Sequence, residues 1–160
     1  MSDERQVSEI LSRYTRAADN RDAQAMSALF VADAVVEVFN RDDREYAKVS
    51  EVQGAETIGK AVAGLMAPHP PRGWSHHMTF DHIITVDGDE ATLDAQFIVY
   101  NTVGAARPAD GWPEEMLGAQ GTIIPIEVGY YRPRLRRVDE AWKIFHHRVF
   151  HDIPYVFPGL

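Results

Sequence analysis

The first half of the chain carries apolar residues at helical spacing. Over residues 3–19 they recur every three or four positions, which predicts an amphipathic helix that Ser2 can cap. The same spacing predicts a short helix over 23–30 and a third helix over 54–66. The first two helices precede two predicted strands, and the third helix follows those strands.

The second half predicts long antiparallel strands. The triplet Asp87-Gly88-Asp89 separates two strand-like segments, and glycine supplies the positive φ that tight hairpin turns need. A stretch rich in Ala, Pro and Gly at 104–118 predicts a loop. Strands are predicted at 34–39, 45–52, 74–86, 91–103, 121–138 and 141–150.

This order of elements predicts an α+β fold in one domain, residues 1–160. Helices come first and the long strands then follow one another, whereas a parallel sheet would alternate strands with helices. Long antiparallel strands curl as they twist. A helix packed into the curl would leave a cone-shaped pocket.

Composition and charge narrow the function classes. With 16 Lys and Arg against 24 Asp and Glu, the net charge of −8 argues against nucleic acid as a partner. The chain has no cysteine, which excludes disulfides, thiolate metal sites and a cysteine nucleophile. No apolar run approaches the ~20 residues of a membrane span. We therefore expect a cytoplasmic protein that does not bind a membrane.

Three motifs in order along the chain carry a resemblance to a known family. They are Tyr14-x4-Asp19-x2-Asp22 with Met26-x2-Leu29-Phe30-x2-Asp33-Ala34, then His76-x2-Thr79 with Val86-Asp87-Gly88-Asp89-x-Ala91, and finally Trp142-Lys143-Ile144. Together they resemble the SnoaL-like branch of the NTF2-like superfamily over about residues 5–150.

The resemblance implies a cone-shaped α+β barrel. Its sheet would be curved, mixed and mostly antiparallel, with the N-terminal helices in the concavity and a deep ligand pocket. Relatives include scytalone dehydratase, a dehydrochlorinase and polyketide cyclases, which work mostly without cofactor or metal. They also include the non-catalytic small subunits of ring-hydroxylating dioxygenases. Members commonly form dimers or trimers through the outer face of the sheet.

Asp19 and His76 hold the positions of the catalytic pair in the dehydratase and dehydrochlorinase relatives. A carboxylate that accepts a hydrogen bond from Nδ1 fixes the imidazole tautomer and raises its basicity, which makes Nε2 a general base. The alternative is that Asp19 is a solvated helix end. An unbroken first helix would place it well away from the apolar stripe.

His76 competes with its neighbour His77, because adjacent residues of a strand point to opposite faces. His76 shares its face with Met78 and Phe80, the more apolar set, and we expect it to point inward. The distance to Gly88 is one residue longer than in the family, which favours His77 or implies a bulge.

Further side chains are expected to line the pocket and bind substrate. Tyr14 lies on the buried stripe of the first helix, where its hydroxyl can donate to a substrate oxygen. The histidines near the end of the chain lack a clear carboxylate partner, so no metal site is expected. The predicted substrate-binding residues are Tyr14, Trp74, His77, Tyr100 and His147.

These features predict a cofactor-independent lyase or isomerase of the dehydratase or cyclase type. It would remove a proton from a small apolar cyclic or aromatic molecule, with His76 as the base and Asp19 as its orienting group. We expect a homodimer or homotrimer. The alternative is a non-catalytic ligand-binding protein or a partner like a dioxygenase β-subunit.

Overall fold

The computed structural model describes residues 1–66 and 68–157, so residue 67 and the last three residues of the predicted domain lie outside the described residues. In this part of the chain three helices and six strands follow one another in an α+β order. They are α1 (Asp3–Asn20), α2 (Ala23–Ser27), β1 (Phe30–Asp42), β2 (Glu45–Gln53), α3 (Ala55–Leu65), β3 (Gly73–Asp87), β4 (Glu90–Gly104), β5 (Gly121–Val138) and β6 (Ala141–His151).

The long strands of the second half agree with the sequence prediction to within one residue, whereas the region around Phe30 differs. Helical spacing predicts a helix up to residue 30, but α2 ends at Ser27 and Phe30 already begins β1. Phe30 pairs with Ile144 of β6 and is buried. Pairing with the sheet therefore outweighs the local helical pattern.

All six strands form one mixed sheet in the order β2-β1-β6-β5-β4-β3. The β1–β6 pair is parallel, and the other four pairs are antiparallel. The sheet is curved but unclosed, because β2 and β3 remain its two edges. The expected curved, mostly antiparallel sheet with N-terminal helices is confirmed.

A β-bulge in β3 reverses the face to which its side chains point. The register jumps between Phe80 and Ile83, and Asp81 takes a left-handed conformation with φ 53°. Before the bulge Ser75 faces the helices, and after it Ile84 packs on the core. Simple alternation along the sequence therefore gives the wrong face on one side of the bulge.

Helix α1 packs against β3 along a row of residues spaced four apart. Val7, Leu11, Thr15 and Asp19 are all buried along this row. Asp19 therefore reaches the interior although α1 runs unbroken to Asn20, and no break in the helix is needed. A polar Thr15 in the row hides the pattern from a count of apolar residues.

The helices and the concave face of the sheet enclose the core. Phe97, Leu135 and Ile144 from the sheet and Met26 from α2 are among its most buried side chains. Gly59 lets α3 approach α2 closely, since a Cβ there would lie 2.3 Å from the carbonyl oxygen of Ala23. None of the helices in the described residues is long and apolar enough to cross a membrane.

Candidate active site

A cavity of about 130 Å³ lies between the helices and the concave face of the sheet. One end is aliphatic and is lined from β1, β2, α3 and the residue that follows α3, by Val36, Val38, Val52, Ile58, Val62 and Met66. The other end carries the polar and aromatic side chains Tyr14, His77, Glu127, Tyr131, His151 and Tyr155. An apolar cavity with a few convergent polar groups is the usual form of a small-molecule site.

Asp19 and His77 form a buried pair at the polar end. The Nδ1 atom of His77 lies 2.6 Å from Oδ1 of Asp19, and the two side chains are 4% and 8% exposed. The carboxylate belongs to helix α1 and the imidazole to strand β3. The pair therefore joins two elements that are 58 residues apart in sequence.

Further donors hold the Asp19 carboxylate in place. The backbone N–H of His77 donates to both carboxylate oxygens, at 3.0 and 3.2 Å, and the Ser75 hydroxyl donates to Oδ1 at 3.4 Å. An ionised carboxylate is an acceptor only, so the His77 nitrogen facing it carries the hydrogen. That tautomer leaves the Nε2 lone pair available at the cavity that His77 lines.

The expectation that His76 is the inward histidine is wrong. His76 is exposed and lies opposite Tyr100 on the convex face of the sheet. The bulge at Asp81 is the reason: alternation counted backwards from the half-buried Ile84 selects His76, and the extra residue shifts the count to His77.

Tyr14 lines the cavity, as the sequence predicts. Its ring packs edge-on against Tyr131 and His147, with centroids 5.5 and 4.8 Å away. Burial, and secondarily the negative charge of Glu127, raises the pKa of Tyr14 well above its ordinary value. The hydroxyl therefore stays protonated and can donate a hydrogen bond.

His147 does not line the cavity, contrary to expectation, and lies behind its wall against the rings of Tyr14 and Tyr131. It is fully buried, and neither ring nitrogen has a hydrogen-bond partner among the described residues. Burial lowers the pKa of His147 to about 3, so the ring is neutral at physiological pH. Direct contact with a ligand in this cavity would require Tyr14 or Tyr131 to move.

Trp74 and Tyr100 do not line the cavity, contrary to expectation. Trp74 is 41% exposed and stacks on His69, with ring centroids 4.3 Å apart. Tyr100 pairs with His76 in the neighbouring strand. Directly opposed residues share a face, and this one is convex.

Glu127, His151 and Tyr155 also line the cavity, although the sequence did not predict them there. A signal for Glu127 was present, because Glu127, Gly129 and Tyr131 share the concave face of β5 by simple alternation. Tyr155 follows the last strand, and its ring stacks on His151 at 5.0 Å. Because Tyr155 lies outside the strands and helices, neither helical nor strand periodicity predicts where its side chain points.

In the described ranges no three His, Asp or Glu side chains converge as a metal ion would require. The cavity thus offers a base, hydrogen-bond donors and apolar walls. This set of groups suits proton transfer on an organic molecule.

The SnoaL-like domain family matches residues 1–148. An NTF2-like protein with a cystatin-like fold from Novosphingobium aromaticivorans is 23% identical, with a TM-score of 0.66, over 93% of this chain and 81% of that one. The β subunit of a candidate aromatic-ring-hydroxylating dioxygenase from the same species is 18% identical, with a TM-score of 0.68, over 96% and 91%.

A candidate scytalone dehydratase from that species is also 18% identical, with a TM-score of 0.58, over 95% of this chain and 87% of its own. At these identities the likeness concerns the fold, which is NTF2-like. No curated protein matches this chain.

Proposed function

The chain belongs to the SnoaL-like family, and from that premise we propose that it is a cofactor-independent lyase or isomerase acting by proton abstraction. The substrate is a small apolar cyclic or aromatic molecule. One observation carries the proposal: the 2.6 Å contact between Asp19 and His77 at the polar end of an apolar cavity.

His77 is the base in this mechanism, in place of the expected His76. Its Nε2 takes a proton from a substrate carbon next to an electron-withdrawing group, and Asp19 stabilises the imidazolium that forms. General-base catalysis of this kind contributes about 10²–10⁴-fold to a rate. Elimination, isomerisation and cyclisation can each follow from the same first step.

The size and lining of the cavity support a single-ring substrate. Its volume of about 130 Å³ is close to that of a dry protein cavity of about 150 Å³ that holds benzene. Aliphatic side chains surround the far end, and Tyr14 can donate to an oxygen on the ring. Transfer of a ring from water to such walls is favourable by roughly 25 cal/mol per Å².

Hydrogen–deuterium exchange tests the proposal with a simple ring ketone in place of the natural substrate. The protein is incubated with cyclohexanone in D₂O, and NMR follows the loss of hydrogen next to the carbonyl. We expect exchange above the buffer rate, lost in His77→Ala and retained in His76→Ala. The adjacent exposed histidine is the matched control. No exchange in the wild type, or equal rates in the two variants, would refute the proposal.

A second candidate is a non-catalytic assembly partner, and one specific observation favours it. The convex face carries apolar side chains in one row across three strands, where Met78 pairs with Ile98 and Ile98 with Val128. Met78 is exposed, and so is Val128. Such a row suits a protein contact. For the catalytic proposal the same face would join copies of this chain in a homodimer or homotrimer.

A further inference from the structure

Glu127 and His151 form another carboxylate–histidine pair at the same cavity. His151 Nε2 lies 3.4 Å from Oε2 of Glu127, and the side chains are 7% and 16% exposed. Both residues line the cavity together with His77. His151 is buried and Glu127 is half-buried, so a second carboxylate–histidine pair lies beside the first and needs its own chemical explanation.

The sheet register brings the two pairs together. His77 of β3 pairs with Val99 of β4, and Val99 pairs with Glu127 of β5. The backbones of His77 and Glu127 are therefore two strand spacings apart, or about 10 Å. His151 follows on β6, opposite Gly129, where an added Cβ would collide with the backbone carbonyl of Phe150, so the glycine allows β5 and β6 to pair closely here.

The other nitrogen of His151 lacks a partner. Its Nδ1 is buried without a hydrogen bond among the described residues, and Tyr155 stacks on the ring at 5.0 Å. A buried polar atom of this kind costs free energy unless something binds it. His151 lines the cavity, and a molecule there can supply the missing partner after a small shift of the ring, because Nδ1 itself is buried in the unliganded protein.

We propose that Glu127 and His151 are a second proton-transfer pair, in which His151 donates through Nδ1 to an oxygen of the substrate. The carboxylate of Glu127 offsets the positive charge of the doubly protonated ring. In this arrangement His151 touches the substrate and Glu127 positions it. The inference rests on the proposed function and adds the acid to the base.

The step balances for a ring ketone. His77 Nε2 takes the proton from the carbon next to the carbonyl, and that C–H electron pair becomes the new carbon–carbon double bond. The carbonyl π pair moves to oxygen, which receives the proton of His151 Nδ1. The products are an enol, a protonated His77 and a neutral His151. A substrate of this class is one ring that carries an oxygen acceptor.

The test uses exchange into cyclohexanone with His151→Gln and Glu127→Gln. We expect His151→Gln to lower kcat/KM for exchange by about 10²-fold, as loss of one donor to a developing oxyanion does. Glu127→Gln gives a smaller loss. The matched controls are His146→Gln and Glu37→Gln, because that pair lies 2.7 Å apart on the other face of the sheet. Both controls keep the wild-type rate.

A second readout does not depend on turnover. In wild-type protein with ¹⁵N-labelled histidine, saturating cyclohexanone shifts the Nδ1 resonance of His151, and Glu127→Gln reduces that shift. If exchange depends on His77 but not on His151, the inference is wrong and the proposed function stands. If the wild type gives no exchange, the proposed function is wrong. An unmoved Nδ1 resonance overturns the inference in either case.

Discussion

A short carboxylate–histidine contact lies on each face of the sheet, and the two contacts have different surroundings. Asp19 and His77 are 2.6 Å apart on the concave face, and Glu37 and His146 are 2.7 Å apart on the convex face. The concave pair is 4–8% exposed, whereas the convex pair is 19–28% exposed. A short carboxylate–histidine contact therefore does not by itself mark a reaction site.

Neighbouring groups make the difference. Lys48 also donates to Glu37, and the hydrogen bond from His146 followed by that from Lys48 lowers the pKa of Glu37. The negative charge of Glu37 is therefore partly balanced by Lys48 and partly screened by solvent. On the concave face a backbone N–H and a serine hydroxyl hold Asp19, and the imidazole adjoins an apolar cavity. Exclusion of water strengthens electrostatic interactions there.

The largest expected effect separates the two pairs by activity. Asp19→Asn removes the carboxylate that fixes the His77 tautomer, so we expect exchange into cyclohexanone to fall by about 10²–10⁴-fold. Glu37→Gln changes the convex pair in the same way and keeps the wild-type rate. The measurement is kcat/KM from NMR. Equal losses of kcat/KM in Asp19→Asn and Glu37→Gln would show that exchange does not depend specifically on the concave pair.

Stability gives the next contrast. Asp19→Ala leaves the ring nitrogen and backbone N–H of His77 buried without an acceptor, and we expect it to lower the free energy of unfolding by about 3 kcal/mol. Glu37→Ala breaks a partly solvated pair and costs about 1 kcal/mol or less. Urea titrations measure both values. A cost for Asp19→Ala no greater than that for Glu37→Ala would argue against its buried role.

A smaller effect is expected on the free energy of unfolding at acidic pH. Burial lowers the pKa of His147 to about 3 from an ordinary 6.5, so between those values the unfolded chain binds a proton there that the folded chain does not. The contribution of His147 to stability is complete above pH 6.5 and is lost as the pH falls towards 3. His147→Gln should flatten this part of the stability profile, and the exposed control His76→Gln should not. Unfolding curves of wild type, His147→Gln and His76→Gln at several pH values measure these profiles, and equal profiles for wild type and His147→Gln would contradict the prediction.

The smallest expected effect on activity comes from the convex face. Met78→Glu places a charge in the apolar row and should shift light-scattering mass towards the monomer, while exchange stays within about twofold. Val49→Glu, at an exposed apolar position of the other edge strand, is the control. If the wild type is a monomer, or if the oligomer persists in Met78→Glu, the convex face is not the contact between subunits.

Much of the fold follows from spacing along the chain, and the site follows only in part. The long hairpins are readable because turn residues such as Gly88 separate long runs of strand-forming residues. Asp19 and Tyr14 are correctly expected in the interior. The choice between His76 and His77 depends on a bulge at Asp81, where a short polar residue adopts positive φ. The extra residue before Gly88 indicates such a bulge, but the apolar face shared with Met78 and Phe80 favours His76.

The second pair is harder to read for a different reason. Glu127 and His151 belong to neighbouring strands, and they meet only through a register set by many other residues. Their contact is a property of the folded sheet rather than of any local motif.

The imidazole nitrogens of His77 test the central claim most directly, through long-range ¹H–¹⁵N correlation spectra of histidine-labelled protein. We predict one fixed tautomer with the hydrogen on Nδ1, lost in Asp19→Asn, while His76 shows the averaged signals of a solvated ring. A hydrogen on Nε2 of His77, or a His77 signal as averaged as that of His76, would contradict the mechanism.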